Sequence, residues 1–242
     1  MTTATVGDGP SDGRRDGSDR SRRKKVSKYI TKQQAQNLLD ALAFADEIGF
    51  RLNVSIDINW LLFGGTTDDK TRIARFQERL SKWCSRQGFP LTLIWVREIG
   101  RYGDPNAHIL MHVPPWLMEG EDFQAVLERA LEPEGGPNHD KAIFIQPADR
   151  PRGKLVYMLK GLRPDEAEQF GVRTSFQGSI QGKRCGCTEN IGRSARRRGS
   201  ASSAARRTTT TKEGTGSHTQ IVASQYISLN NQGIESAPRT VP

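Results

Sequence analysis

Residues 91–113 read LTLIWVREIGRYGDPNAHILMHV, and their pattern decides the architecture. Leu91 to Glu98 is rich in β-branched and aromatic residues, the composition of a strand. Gly100-Arg-Tyr-Gly-Asp-Pro105 is turn-forming, and Ala107 to Val113 is a second apolar run. A loop this short joins antiparallel neighbours, so the two runs are expected to pair. On the second run Ala107, Ile109, Met111 and Val113 share a wholly apolar face, which belongs to a core. Asn106, His108, Leu110 and His112 share the other. Two imidazoles and an amide on one face of a central strand point to chemistry there.

Working outward, Thr31-Lys-Gln-Gln34 fits a capping box. After it Ala35, Leu38, Leu39, Leu42 and Ile48 recur at helical spacing up to Gly49. Leu52, Val54, Ile56, Ile58 and Trp60 alternate with Asn53, Ser55, Asp57 and Asn59, the pattern of a half-buried strand. A helix is expected from about Asp69, with Ile73, Phe76, Leu80 and Trp83 on one stripe and Gly88 as its stop. Pro114-Pro115 ends the hairpin. Phe123, Val126, Leu127 and Leu131 mark a helix and Ala142 to Ile145 a short strand. Leu155 to Leu162 reads as a buried helix, and Val172 to Ile180 as a weaker strand containing Gly178. Two βαβ units joined by a hairpin predict an α+β, split-βαβ architecture: an antiparallel-dominated sheet of about five strands with flanking helices.

The charge is uneven. The 242 residues carry 36 Lys+Arg against 27 Asp+Glu, a net +9. Arg14 to Lys28 is locally +6 and Lys183 to Arg207 locally +7, which leaves −4 for the rest. Both basic ends are poor in apolar residues and are expected to be disordered, as solubilising tails or as nucleic-acid arms. The domain expectation is therefore a basic arm over 1–28, a folded domain over 29–182 and a basic tail over 183–242. No apolar run reaches the roughly 18–20 residues of a membrane span, and the N-terminus lacks a secretory signal's apolar segment. Three cysteines, two of them in Cys185-Gly-Cys187, cannot build a disulfide framework. A cytoplasmic protein with no membrane partner is expected.

Two spacings bear on metal chemistry. His108 and His112 would suit one ion on a helix but lie about 13 Å apart on a strand. Asn106 and His108 are about 7 Å apart on one face. A hairpin register brings Glu98 beside Asn106, giving a mixed oxygen/nitrogen set suited to Mg²⁺ or Mn²⁺. The plainer reading of His108 is a buried imidazole with a hydrogen-bond partner. Tyr157-Met-Leu-Lys160 places a phenol and an ammonium on one helical face. A phenol with a pKa near 10 is a poor nucleophile until a cation helps it. By itself this pair is ordinary packing plus a solvated charge.

The run Trp95-Val-Arg-Glu98-Ile-Gly-Arg-Tyr-Gly-Asp-Pro-Asn106-Ala-His108-Ile-Leu-Met111 resembles the second motif of HUH-superfamily replication initiators. These are the Rep proteins of rolling-circle plasmids, phages and transposons. The motif is a strand ending in Glu, a Gly-containing basic loop, Pro, then His-hydrophobic-His. Tyr157-Met-Leu-Lys160 matches the third motif, Tyr-x-x-Lys, after the expected βα unit. The resemblance covers about residues 50–182. A stretch from Gly182 to Arg193 also resembles Rep-like bacterial proteins, without implying chemistry.

The resemblance implies a site-specific single-strand DNA nicking and joining enzyme that initiates rolling-circle replication. Glu98, His108 and Asn106 would hold Mg²⁺ or Mn²⁺, with His112 behind them. Tyr157 would attack the scissile phosphate to leave a 5′-phosphotyrosyl link, and Lys160 would stabilise the developing charge. Expected DNA contacts are Arg97, Arg101, Lys183, Arg184, Arg193, Arg196, Arg197 and Arg198. The partner would be single-stranded or origin DNA, and a host helicase, since no Gly-rich phosphate loop is present. Asn106 stands where the family has its first His. Its carbonyl can serve a hard cation, or the change marks a Rep-derived protein that binds DNA without cutting it.

Two other classes fit less well. An RNA-recognition module needs a lysine-glycine-aromatic strand that is absent here. A structural zinc site from Cys185, Cys187 and His139 has too tight a cysteine spacing and no evident fourth ligand.

Overall fold

The computed structural model describes residues 26–63, 69–118, 122–131 and 139–200. The arm from Arg14 to Lys25 and the tail beyond 200 lie outside them. Strand β1 (Val26–Ser27) leads to helix α1 (Lys32–Glu47). Its Thr31 cap forms the full capping box with Gln34, and Gly49 at φ +81° turns the chain away. Strand β2 (Val54–Asn59), helix α2 (Asp69–Arg86) and strands β3 (Leu93–Ile99) and β4 (Pro105–Met111) follow. Then come α3 (Pro115–Met118), α4 (Asp122–Leu131), α5 (His139–Ala142) and β5 (Ile143–Pro147). Helix α6 (Pro151–Met158) runs into a 3₁₀ turn (Leu159–Gly161), followed by α7 (Pro164–Ala167), β6 (Ile180–Gln181) and β7 (Cys185–Cys187).

Five strands make one antiparallel sheet in the order β5-β2-β4-β3-β7, and β1 pairs separately with β6. β2 and β4 are therefore central. The hairpin pairs as the short loop demands, with Val96 opposite His108 and Glu98 opposite Asn106. On the other side of β4, Asp57 lies opposite His108 and Asn59 opposite Asn106. Because directly opposed residues point the same way, polar side chains from three strands share one face.

The two faces bury different partners. Val54, Ile56 and Ile58 of β2 and Ala107, Ile109 and Met111 of β4 pack on Ile73, Phe76 and Leu80 of α2 and Leu127 of α4. Ile94, Val96 and Leu110 on the opposite face meet α1 through Leu38 and Ala41, and α6 through Leu155 and Met158. The polar row lies on the second face, under α6. Sheet alternation and helix stripe thus agree about which side of each strand is core.

The segment from Val172 to Ile180 is not the expected strand. Residues 172–179 are irregular, and only Ile180–Gln181 is extended and paired. Gly178 is the reason. It sits at φ +59°, and a Cβ there would collide with the side chain of Ile99. The segment is a loop pressed onto the end of β3, where Ile99 N donates to Gln177 O at 3.0 Å. The fifth strand is instead β7, formed by Cys185-Gly-Cys187 against β3. Gly186 is needed there, because a Cβ would come within 2.9 Å of the Trp95 ring. The compact unit consequently runs to Arg196 rather than ending at 182, and residues 26–28 belong to it.

Two expected DNA contacts are inside this unit. Arg184 is 1% exposed and donates to the carbonyls of Ser27 (2.9 Å), Gln177 (3.0 Å) and Gly178. Arg97, also 1% exposed, donates to Lys183 O at 2.8 Å and Gln181 O at 3.2 Å. Both guanidinium groups are buried against backbone carbonyls, so neither is placed to reach a phosphate. Arg196 likewise binds Ile191 O and Asn37 Oδ1. Arg101, Lys183 and Arg193 are exposed and stay available; so are Arg197 and Arg198, in the separate unit beginning at Arg197.

Truncating Arg184 takes a charged donor from three carbonyls, of which Gln177 O keeps a second bond, from Ile99 N. Arg184→Ala is expected to cost about 3 kcal/mol or more of unfolding free energy. Arg101→Ala should stay within about 0.5 kcal/mol. Urea denaturation of the two variants checks this.

Candidate functional site

Three elements supply one cluster. β4 presents His108, β2 presents Asp57 beside it, and β3 presents Glu98 one pair further along. The imidazole lies between the carboxylates. Its Nδ1 is 2.5 Å from Asp57 Oδ1, and its Nε2 is 3.1 Å from Glu98 Oε1. The first contact is a directed hydrogen bond, whereas Nε2 makes none that is well aligned. His108 and Glu98 are 8% and 7% exposed, so water does not compensate.

Helix α6 closes the cluster from above. Pro151 opens the helix where its missing N–H costs nothing. Lys154, Tyr157 and Lys160 follow at three-residue intervals and project toward the sheet. Lys154 Nζ binds both Asp57 oxygens at 2.9 and 3.2 Å. Lys160 Nζ binds both Glu98 oxygens at 3.0 and 3.2 Å. The same ammonium donates to Tyr157 Oη at 3.1 Å and lies 4.4 Å from the centre of that ring. Tyr157 stands edge-on to His108 with ring centres 5.9 Å apart, yet is 52% exposed. A half-exposed phenol touched by a partly buried ammonium is accessible to a large substrate and has its oxygen already hydrogen-bonded.

Electrostatics follow from the geometry. Burial disfavours charge on His108, but the hydrogen bond to Asp57, the close contact with Glu98 and the negative charges of both outweigh it and raise its pKa. Burial likewise opposes charge on Asp57 and Glu98. His108 with Lys154, and His108 with Lys160, hold the two carboxyls below their ordinary values. Lys160 is raised in spite of burial by its bonds to Tyr157 and Glu98.

Asp57, Ile58, Asn59, Glu98, Asn106, His108, Lys141, Ala142 and Phe144 line a cleft of about 270 Å³. Glu98, His108 and Asn106 therefore meet, as the hairpin register required. Asn106 has its amide nitrogen turned to Asp104 O at 3.2 Å. Among the described residues no three His, Cys, Asp or Glu side chains converge on one point, because Asp57 is on the far edge of the imidazole. The set still fits a small hard cation in one respect. With Nδ1–H given to Asp57, a neutral His108 aims a buried Nε2 lone pair at a carboxylate oxygen, an arrangement that needs a proton or a cation.

His112 does not belong to the cluster. It lies beyond the end of β4, with Nδ1 2.9 Å from Arg51 O and its ring edge-on to Phe50 and Phe89. Asp57 and Lys154 were missed, although the sequence holds signals for both. Asp57 is the only carboxylate on the polar face of an alternating strand, and Lys154 lies three residues before Tyr157. The side chain of His139 is outside the described residues.

Comparison with protein-family models, curated proteins and solved structures returns no significant match. Among the described residues no helix is long and apolar enough to cross a membrane.

The cluster makes a pH signature. In chelator-treated protein His108 should titrate above its usual value near 6.5. A raised pKa means its stabilisation is complete below about pH 6.5 and is lost as pH rises through the folded-state value. The lowered carboxyls contribute above about pH 4 and lose their effect as pH falls through their folded-state values. An NMR titration of His108 measures the first shift, and Asp57→Asn should reduce it.

Proposed function

We propose that this protein is a divalent-metal-dependent single-strand DNA nicking and joining enzyme of the HUH replication-initiator type. One observation carries the reading. A carboxylate (Glu98), an imidazole (His108) and a lysine-assisted phenol (Tyr157 with Lys160) come from three separate elements into one cluster of mutual contacts, and Glu98 and His108 also line the cleft beside it. The strand succession supports it too. The succession β2-α2-β3-β4-α4-β5 and the sheet order β5-β2-β4-β3 are what a split-βαβ sheet would require.

The residues divide the work. Tyr157 Oη attacks phosphorus, the P–O3′ bond breaks, and the products are a 5′-phosphotyrosyl link and a free 3′-hydroxyl. The phenol proton passes to solvent or to the departing 3′-oxygen. Lys160 donates to the phenol oxygen, which holds that oxygen in place and sets positive charge beside the phosphoryl group. Asp57 fixes the His108 tautomer, and Lys154 keeps Asp57 ionised. Glu98, His108 Nε2 and the amide oxygen of Asn106 would hold Mg²⁺ or Mn²⁺. That ion supplies Lewis-acid polarisation of the scissile phosphate when bound. Rejoining runs the same steps backwards.

A second reading has its own support. Lys160 already holds both oxygens of Glu98, and Asn106 replaces an imidazole with a weaker donor. A Rep-derived protein that binds DNA without cutting it would have these features. One experiment separates the two. Labelled single-stranded DNA with Mn²⁺ or Mg²⁺ should give a covalent protein–DNA band in denaturing gels. Tyr157→Phe should abolish it, Lys160→Ala should slow it about 10²–10³-fold, and Tyr29→Phe and Tyr102→Phe should leave it intact. No band from wild type across a pool of sequences favours the binding protein.

A further inference from the structure

We propose that Phe144 is a stacking platform for a base of single-stranded DNA, with Lys141 pairing to the backbone of the same segment. This rests on the reading of the cleft as a DNA-phosphate centre, and it assigns the ligand a definite path into that cleft. Phe144 is on edge strand β5 directly opposite Asp57, so its side chain points to the face that carries the cluster. Its neighbours Ile143 and Ile145 pack against the other core. The alternation of a strand therefore fixes the ring outward, and only a register slip would bury it.

The ring is 60% exposed and lines the cleft with Glu98, Asn106 and His108. Single exposed hydrophobics are common on protein surfaces. This one differs in its surroundings. Three lysines, Lys141, Lys154 and Lys160, stand against two carboxylates, Asp57 and Glu98, so the cleft and its roof favour an anionic guest. β5 and β4 are separated by two strand spacings, about 9–10 Å. That is close to the reach of one nucleotide from its phosphate across its own base. A strand whose phosphate sits at Tyr157 and His108 can therefore lay a neighbouring base on Phe144. Stacking on an aromatic face tolerates any base.

The test uses whole protein and a fluorescently labelled oligo(dT) probe in EDTA, so that no cleavage intervenes. Phe144→Ala should weaken binding about five- to a hundredfold without changing the salt dependence. Lys141→Ala should lower the slope of log affinity against log salt by about 0.7. Phe144→Trp should bind like wild type and lose indole fluorescence on adding probe, beyond any loss in wild type. That signal decides the matter if the alanine variant proves less stable. Unchanged affinity of Phe144→Ala, or an unquenched tryptophan, overturns the platform. Failure of wild type to bind oligo(dT) overturns the functional reading as well. Normal adduct formation with normal Phe144→Ala affinity overturns the platform alone.

Discussion

The site depends on one buried imidazole held between two carboxylates. His108 contacts Asp57 through one nitrogen and Glu98 through the other, and each acid is tied to a lysine from the α6 segment. Five ionisable groups in a mostly buried place are tolerated only because the charges are paired. The same pairings pin α6 onto the sheet. Tyr157, halfway between the two lysines in sequence, has its position set by groups on either side of it. Removing one partner would strand the others, so the cluster behaves as a unit rather than as a sum of contacts.

Basic residues near a supposed DNA site turn out to have two employments. Arg97 and Arg184 tie together backbone carbonyls of β1, of the loop 172–179 and of the turn between β6 and β7. Arginine suits this because its rigid fork of donors can satisfy several acceptors at once. Arg101, Lys183 and Arg193 point outward and can answer a phosphate backbone. Net charge by itself does not tell which guanidinium would meet the polyanion that the proposed function requires.

Much of the framework was legible before any coordinates. The capping box of α1, the alternation of β2 and the hairpin of β3 and β4 are local signals, and local signals survive folding. The register placing Glu98 beside Asn106 followed from the loop length alone. The failures were non-local. Val172 to Ile180 has strand-like composition, yet Gly178 takes a positive φ against Ile99 and the stretch becomes a loop. Cys185-Gly-Cys187 looks like nothing in particular, and it becomes a strand because β3 offers a free edge and Trp95 needs a glycine opposite. Asp57 and Lys154 escaped because each gains meaning only when β2 and α6 are brought together. His112 misled for the opposite reason. It continues the sequence pattern of β4 past the point where the strand ends.

The most direct measurement is the chemical identity of the residue that carries DNA. Protein incubated with single-stranded DNA and Mn²⁺ is digested with nuclease and trypsin, and the peptides are mapped by mass spectrometry. Cleavage after Lys154 and Lys160 isolates Leu155-Val-Tyr-Met-Leu-Lys160, with Tyr157 at its centre. The account predicts a 5′-phosphonucleotide mass on Tyr157 in that peptide. The same mass on a peptide containing Tyr29 or Tyr102, with Tyr157 unmodified, would contradict it.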